Sequence, residues 1–260
     1  KIVFRYKKFD LILNVSKSNE NRLIKDNILK RNYKLKLMPY VIDKDKFYPT
    51  KKNNNKKLTL LFVGRIEKEK NIDMLIEILI YLTDYKLIIV GDGNYKNELK
   101  NKCKYYNVDF VGKVNNDELY KYYNLADIFI NPSKTESLGF TTLESMACKT
   151  VVIGFDSQGT SNLINHMNTG FLFKTKNELL KYINLIKNDK DLKIKLENNA
   201  YNFISKYDVK NFVDTTIKYY NDEIQIKKKL NKNNNSILDI LIEFILYVVF
   251  KILLIIKNIV

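Results

Sequence analysis

Leu58–Gly64 reads LTLLFVG, and a run of the same make follows at Tyr85–Gly91 (YKLIIVG), with shorter ones at Val108–Gly112 (VDFVG), Ala126–Pro132 (ADIFINP) and Thr150–Phe155 (TVVIGF). Each has strand length and is apolar along most of its length rather than alternating, as strands covered on both faces are. Segments of helical length separate them. The pattern therefore predicts repeated βα units: an α/β, Rossmann-like parallel sheet flanked by helices. Gly64, Gly91, Gly112 and Gly154 are expected at the carboxyl ends of four strands, the edge where an open α/β sheet takes its ligand.

Working outward, Phe9–Ser16 (FDLILNVS) and Leu35–Met38 read as strands and Lys17–Leu29 as a helix, before Pro39 and Pro49 bracket an extended stretch. The low-complexity run Lys51–Lys57 (KKNNNKK) marks a boundary. Past the strands, helical periodicity runs from Asn177 to the region of Tyr220. Ile237–Ile256 is almost wholly apolar and, at about twenty residues, long enough to cross a bilayer as a helix. Asp239, Glu243 and Lys251 share one side of it, which keeps a helix lying in the interface or packed on a partner as the other reading. Four segments result: 1–57, the end of a preceding domain with a linker; 58–224, the ligand-binding domain; 225–236, a basic linker; and 237–260, a hydrophobic membrane-associated helix. The Lys-rich flank places the domain on the cytosolic or equivalent side of the membrane.

The 260 residues carry 45 Lys and Arg against 29 Asp and Glu, a formal charge of +16. Nucleic acid, an anionic membrane and a phosphorylated ligand all suit that sign. Much of the excess is Lys mixed with Asn in loops such as Lys227–Asn235 (KKKLNKNNN), and basic residues do not interleave with aromatics as single-strand binders require, so no nucleic-acid partner is expected. Cys103, Cys148 and the lone His166 offer neither a disulfide framework nor a metal site, and they fit a reducing compartment. The chain opens on Lys1, so further sequence, with any targeting signal, is expected before it.

Asn131–Met146, NPSKTESLGFTTLESM, sets Glu136 and Glu144 eight positions apart across a turn of small residues. A helix starting near Leu138 would aim its unpaired first-turn amides outward as a seat for a phosphate. Glu136 lies before that seat and Glu144 further along the helix, so the two flank it and reach hydroxyl groups on either side, as a sugar nucleotide presents them. Gly64 and Arg65 close the first strand, and Lys70 follows near the next helix. A guanidinium and an ammonium at one mouth suit a diphosphate whose charge grows as its bond to sugar breaks. Gly91-Asp92-Gly93 lacks the third glycine of the dinucleotide fingerprint, so no NAD is implied; it reads as a turn that permits close approach to a ligand or a facing domain, or as a plain turn. Gly112 and Lys113 are candidates for a nucleobase slot.

Together these pieces resemble the carboxyl-terminal domain of the family 4 glycosyltransferases, two-domain enzymes of the GT-B fold. The resemblance covers VIDKDKFYP, GRIEKEKN, VGDGNYKNEL, ADIFINPS and the two glutamates within ESLGFTTLESMA. It implies a retaining transfer from a nucleotide sugar, a UDP-sugar first, with no cofactor and no required metal. Arg65, Lys70 and Glu136 would be catalytic: the cations hold the diphosphate and Glu136 meets sugar hydroxyls. Gly64, Gly112, Leu138, Gly139, Phe140, Thr141 and Glu144 would bind donor, with backbone amides around Leu138, Gly139 and Phe140 on the distal phosphate and Glu144 on the ribose. The runs EKNIDML and SKYDVKNF bring the chain nearest the branch that makes sulfoquinovosyl diacylglycerol, which implies a membrane lipid acceptor.

The chain departs from the family at Val41, Lys149, Val151, Gln158 and Asn162, where Gly, Gly, Pro, Gly and an acid are usual. Three readings follow: the donor half of a membrane-associated glycosyltransferase, catalytically incomplete without the acceptor half; a non-catalytic nucleotide-sugar binding or scaffold module with a degenerate donor site; and a basic nucleic-acid binder. His166 is expected to have a surface or packing role rather than a catalytic one.

Overall fold

The computed structural model describes residues 11–14, 17–26, 35–38, 40–51, 57–136 and 139–230. They fall into two compact units, one comprising the residues up to Val41 and from Val209 onward, the other Ile42–Asp208. In the first unit, β1 (Ile12–Asn14) pairs in parallel with β2 (Leu35–Leu37), joined through α1 (Lys17–Lys25). The Tyr219 hydroxyl of the long helix Val209–Leu230 donates to the Leu37 carbonyl at 3.3 Å, tying that helix to β2.

The second unit holds the predicted sheet. It runs β3 (Leu58–Val63), α2 (Asp73–Leu79), β4 (Tyr85–Val90), α3 (Lys96–Lys102), β5 (Val108–Gly112), α4 (Asn116–Leu125), β6 (Ile128–Asn131), α5 (Phe140–Ala147), β7 (Val151–Phe155), α6 (Gln158–Ser161), β8 (Phe171–Phe173), α7 (Lys176–Asn188) and α8 (Lys190–Phe203). All six strands are parallel, in the order β5-β4-β3-β6-β7-β8. The chain enters at the centre, builds outward to one edge, and crosses back to build the other half. The order reverses between β3 and β6, and an open sheet of this kind opens its ligand crevice there.

Period-two side-chain alternation sorts the core. Leu60, Phe62, Leu87, Ile89, Ile128 and Ile130 face the buried side chains of α2, α3 and α7, while Phe129, pointing the other way, meets Tyr123 of α4 edge-on at 5.6 Å. Both faces are covered, which explains the unbroken apolar runs.

Several expectations change. The helix of the glutamate stretch begins at Phe140, not Leu138, because Gly139 precedes it in the left-handed region at φ 67°; Leu138 itself lies outside the described residues. Gly154 sits inside β7 rather than at its end, where an added Cβ would come within 2.2 Å of Thr160. The helical stretch after Asn177 divides at Asp189, whose carboxylate caps α8 by accepting from the Leu192 amide, and after a 3-10 turn at Ile204–Tyr207 the helix α9 (Val209–Leu230) follows. The sheet-bearing unit begins at Ile42: the Asn124 side chain accepts from the Thr50 amide and donates to the Tyr48 carbonyl, so residues assigned to the linker pack on α4. Among the described residues no helix is long and apolar enough to cross a membrane, and the 237–260 segment lies outside them.

Candidate active site

Two loops meet at the reversal point. The one leaving β3 carries Gly64, Arg65 and a 3-10 turn, Lys68–Lys70, closed by Asn71 in the left-handed region at φ 56°. Asn71 Nδ2 donates to the Pro132 carbonyl at 3.1 Å, stitching this loop to the one leaving β6. The stitch brings Lys70 to Glu136. Their Nζ and Oε2 stand 3.2 Å apart, each side chain only 18% exposed.

Glu136 makes a second contact. Its Oε1 accepts from the Gly139 amide at 3.3 Å, ahead of α5. The amides of Phe140 and Thr141 follow in the first turn, where no intrahelical acceptor exists, so the positive end of the helix opens beside the Lys70 ammonium. Asn131 Nδ2, Ser133 Oγ and Thr142 Oγ1, at the exit of β6 and in the first turn of α5, are buried without a partner among the described residues. Buried donors of that kind ordinarily find an acceptor. The arrangement can therefore receive an anion, with a carboxylate on its edge.

Glu144 lies just over one turn into α5, closer to the seat than a helix from Leu138 implies. Its Oε2 accepts from the Tyr123 hydroxyl at 2.6 Å. Its Oε1 has no hydrogen-bond partner among the described residues. The side chain keeps a sliver of solvent contact, yet protein crowds the carboxyl: burial raises its pKa to about 7, and the Tyr123 bond partly opposes that rise.

Arg65 is placed differently from the paired cations read from sequence. It is 71% exposed and bonded to Glu69, one turn on, at 2.9 Å. Gly91 and Gly93 do allow a close approach, but to the neighbouring loop: a Cβ on Gly91 would fall 1.9 Å from the Gly64 carbonyl oxygen and one on Gly93 2.3 Å from that of Ile66. Gly112 ends β5 at φ 89°, with Lys96 across from it, and Lys113 is exposed. His166, exposed, accepts from the Leu172 amide at 3.0 Å and lies edge-on to Phe171 and Tyr182. Tyr123 was missed. Its signal in the sequence, an aromatic on the buried stripe of α4, reads as core.

Residues 43–203 match the family described as glycosyl transferases group 1. Among curated proteins the chain is similar to sulfoquinovosyl transferase SQD2 of Arabidopsis thaliana, 29% identical over 54% of this chain and 30% of that protein. It is also similar to two alpha-monoglucosyldiacylglycerol synthases. That of Acholeplasma laidlawii is 31% identical over 68% of this chain and 47% of its own, and that of Streptococcus pneumoniae is 35% identical over 46% and 29%. The chain therefore spans less than half the length of these relatives. Among solved structures, sucrose-phosphate synthase from Thermosynechococcus elongatus superposes with a TM-score of 0.74, at 21% identity, over 82% of this chain and 58% of that one. Anabaena HepE, solved with UDP-glucose, gives 0.74 at 19% identity over 84% and 65%. Both likenesses establish the fold, that of the GT-B enzymes.

Proposed function

The chain belongs to the glycosyl transferases group 1 family, and from that premise we propose that it is the donor-binding half of a retaining glycosyltransferase that moves a sugar from a nucleoside diphosphate to a membrane lipid. The observation that carries the reading is the Lys70–Glu136–Gly139 cluster at the reversal point of the sheet. A diphosphate seated on the first-turn amides of α5 gains charge as the glycosidic bond breaks, and the Lys70 ammonium and helix dipole favour that gain. Arg65, long and exposed, swings from Glu69 onto the same phosphates. Glu136, displaced from Lys70, meets the sugar hydroxyls, and Glu144 accepts from the ribose. Gly64 and Gly112 line the mouth; Leu138, Phe140 and Thr141 supply amides.

UDP is the leading nucleotide, in keeping with the UDP and UDP-glucose complexes of HepE. A lipid acceptor, diacylglycerol first, and attachment to the membrane are in keeping with the glycolipid synthases among the relatives.

Titration of UDP, GDP and ADP against the full chain tests the reading. Saturable binding of one nucleotide is expected, weakened about tenfold or more by Lys70→Ala, since a charge-assisted bond contributes about 1.5–3 kcal/mol. A folded chain that binds none of the three leaves no donor site. Binding without transfer by the chain joined to its acceptor half favours the non-catalytic nucleotide-sugar module.

A further inference from the structure

We propose that Tyr123 is a positioning residue for the nucleoside: its hydroxyl fixes one oxygen of Glu144 and so leaves the other to receive the ribose hydroxyls. The inference rests on the donor-site reading above and extends it to a side chain on a different helix.

Tyr123 is built to hold still. It is fully buried, its ring lies edge-on to Phe47 and to Phe129 at centroid distances of 6.1 and 5.6 Å, and its carbonyl accepts from the Thr150 hydroxyl at 2.6 Å. A ring wedged between two others, on a backbone that is itself held, offers its hydroxyl in a restricted direction. Glu144 Oε2 accepts from it at 2.6 Å, short for a neutral donor and typical of a donor on a carboxylate. A glutamate has three rotatable bonds, and without this partner its carboxylate samples several orientations; with it, one face is presented.

The hydroxyl also favours the ionised form of the acceptor against its burial. Burial favours the protonated carboxyl and the Tyr123 bond opposes it, while Tyr123 itself, its pKa raised well above the usual value by burial and by Glu144, remains a donor at neutral pH. Cys148, at the end of α5, is the other titratable group bearing on the pair. The elements α8, β6, β7 and the 3-10 turn at Ile204–Tyr207 also pack on α5, and among the described residues none sets a charge against Glu144.

Comparing UDP with 2′-deoxy-UDP on the full chain across pH 5.5–8.5 tests this. The parent is expected to prefer UDP by about tenfold at pH 7.5, the worth of one hydrogen bond to a charged group. That preference fades as the carboxyl protonates. Tyr123→Phe narrows the preference to roughly two- to threefold at pH 7.5 and moves its midpoint to higher pH; Glu144→Gln removes both preference and midpoint. An unchanged ratio and midpoint in a folded Tyr123→Phe chain overturns the proposal. Carbon-13 titration of the Glu144 carboxyl, which needs no ligand, separates the two ideas. A midpoint raised by Tyr123→Phe supports the positioning bond even if no nucleotide binds and the donor reading falls, and an unmoved midpoint overturns the positioning role even if nucleotide binds.

Discussion

Glu144 is a residue kept where stability argues against it. Its carboxyl titrates near pH 7 in the folded chain and near 4.5 unfolded, because burial penalises the charge. Between those values the folded state holds a proton that the unfolded state has lost, so stability falls as pH rises from about 4.5 to 7 and then levels. Glu144→Gln therefore stabilises the fold at pH 8, by up to about 3 kcal/mol, and raises the melting temperature there; the gain shrinks toward pH 4.5. Thermal unfolding at a series of pH values measures it; a gain independent of pH removes ionisation as its cause. Glu136 has the opposite character. Held by Lys70 and the Gly139 amide, it fills with its own carboxylate the place proposed for phosphate. Glu136→Gln is expected to bind nucleoside diphosphate at least as tightly as the parent while losing transfer, and weakened binding would show that the carboxylate does not compete for the seat.

Among the elements, the turn between α5 and β7 carries a visible departure from the family. Lys149 stands in the left-handed region at φ 53°, where the family's usual glycine rests without strain. Its ammonium donates to the Asn198 side chain at 2.9 Å and lies 5.1 Å from the centre of the Tyr201 ring, exposed contacts that offset only part of the cost. Lys149→Gly should stabilise by about 0.5–1 kcal/mol in denaturant unfolding. The turn after β4 allows no such exchange. Gly91→Ala drives a methyl into the Gly64 carbonyl and should cost about 2 kcal/mol or more, together with nucleotide affinity, because the two loops are packed backbone to backbone. The strands of the sheet could be read from the sequence since burial on both faces writes itself as apolar runs. The ends of helices could not: whether α5 starts at Leu138 or Phe140 turns on the backbone of one glycine. The Tyr123–Glu144 bond was hidden for another reason, since 21 residues separate its partners and only the packing of α4 on α5 brings them together. Arg65 was read as a cation and found as half of an ion pair, and charge patterning alone does not choose between them.

For the molecule as a whole, the proposed attachment to membrane can be tested at the apolar run 237–256. If that run anchors the protein, the full chain should float with phospholipid vesicles and Ile245→Arg with Val249→Arg should release it, because a charge placed at the centre of a membrane-inserted helix costs about 2.5–3.5 kcal/mol. Retention of the doubly substituted chain would move the attachment elsewhere. The order of the sheet has a consequence for how the protein assembles. Its central strand comes first and takes neighbours from two halves of the chain, Leu58–Gly112 and Asn116–Phe173. Lys70 to Glu136 and Asn71 to Pro132 cross that seam over 66 and 61 residues of chain. Contacts so distant in sequence form late in folding, after the local pairing of β3 with β4. A nucleotide that touches both sides would act as a clasp, slowing hydrogen exchange along β6 and stabilising the joined halves in proportion to its occupancy.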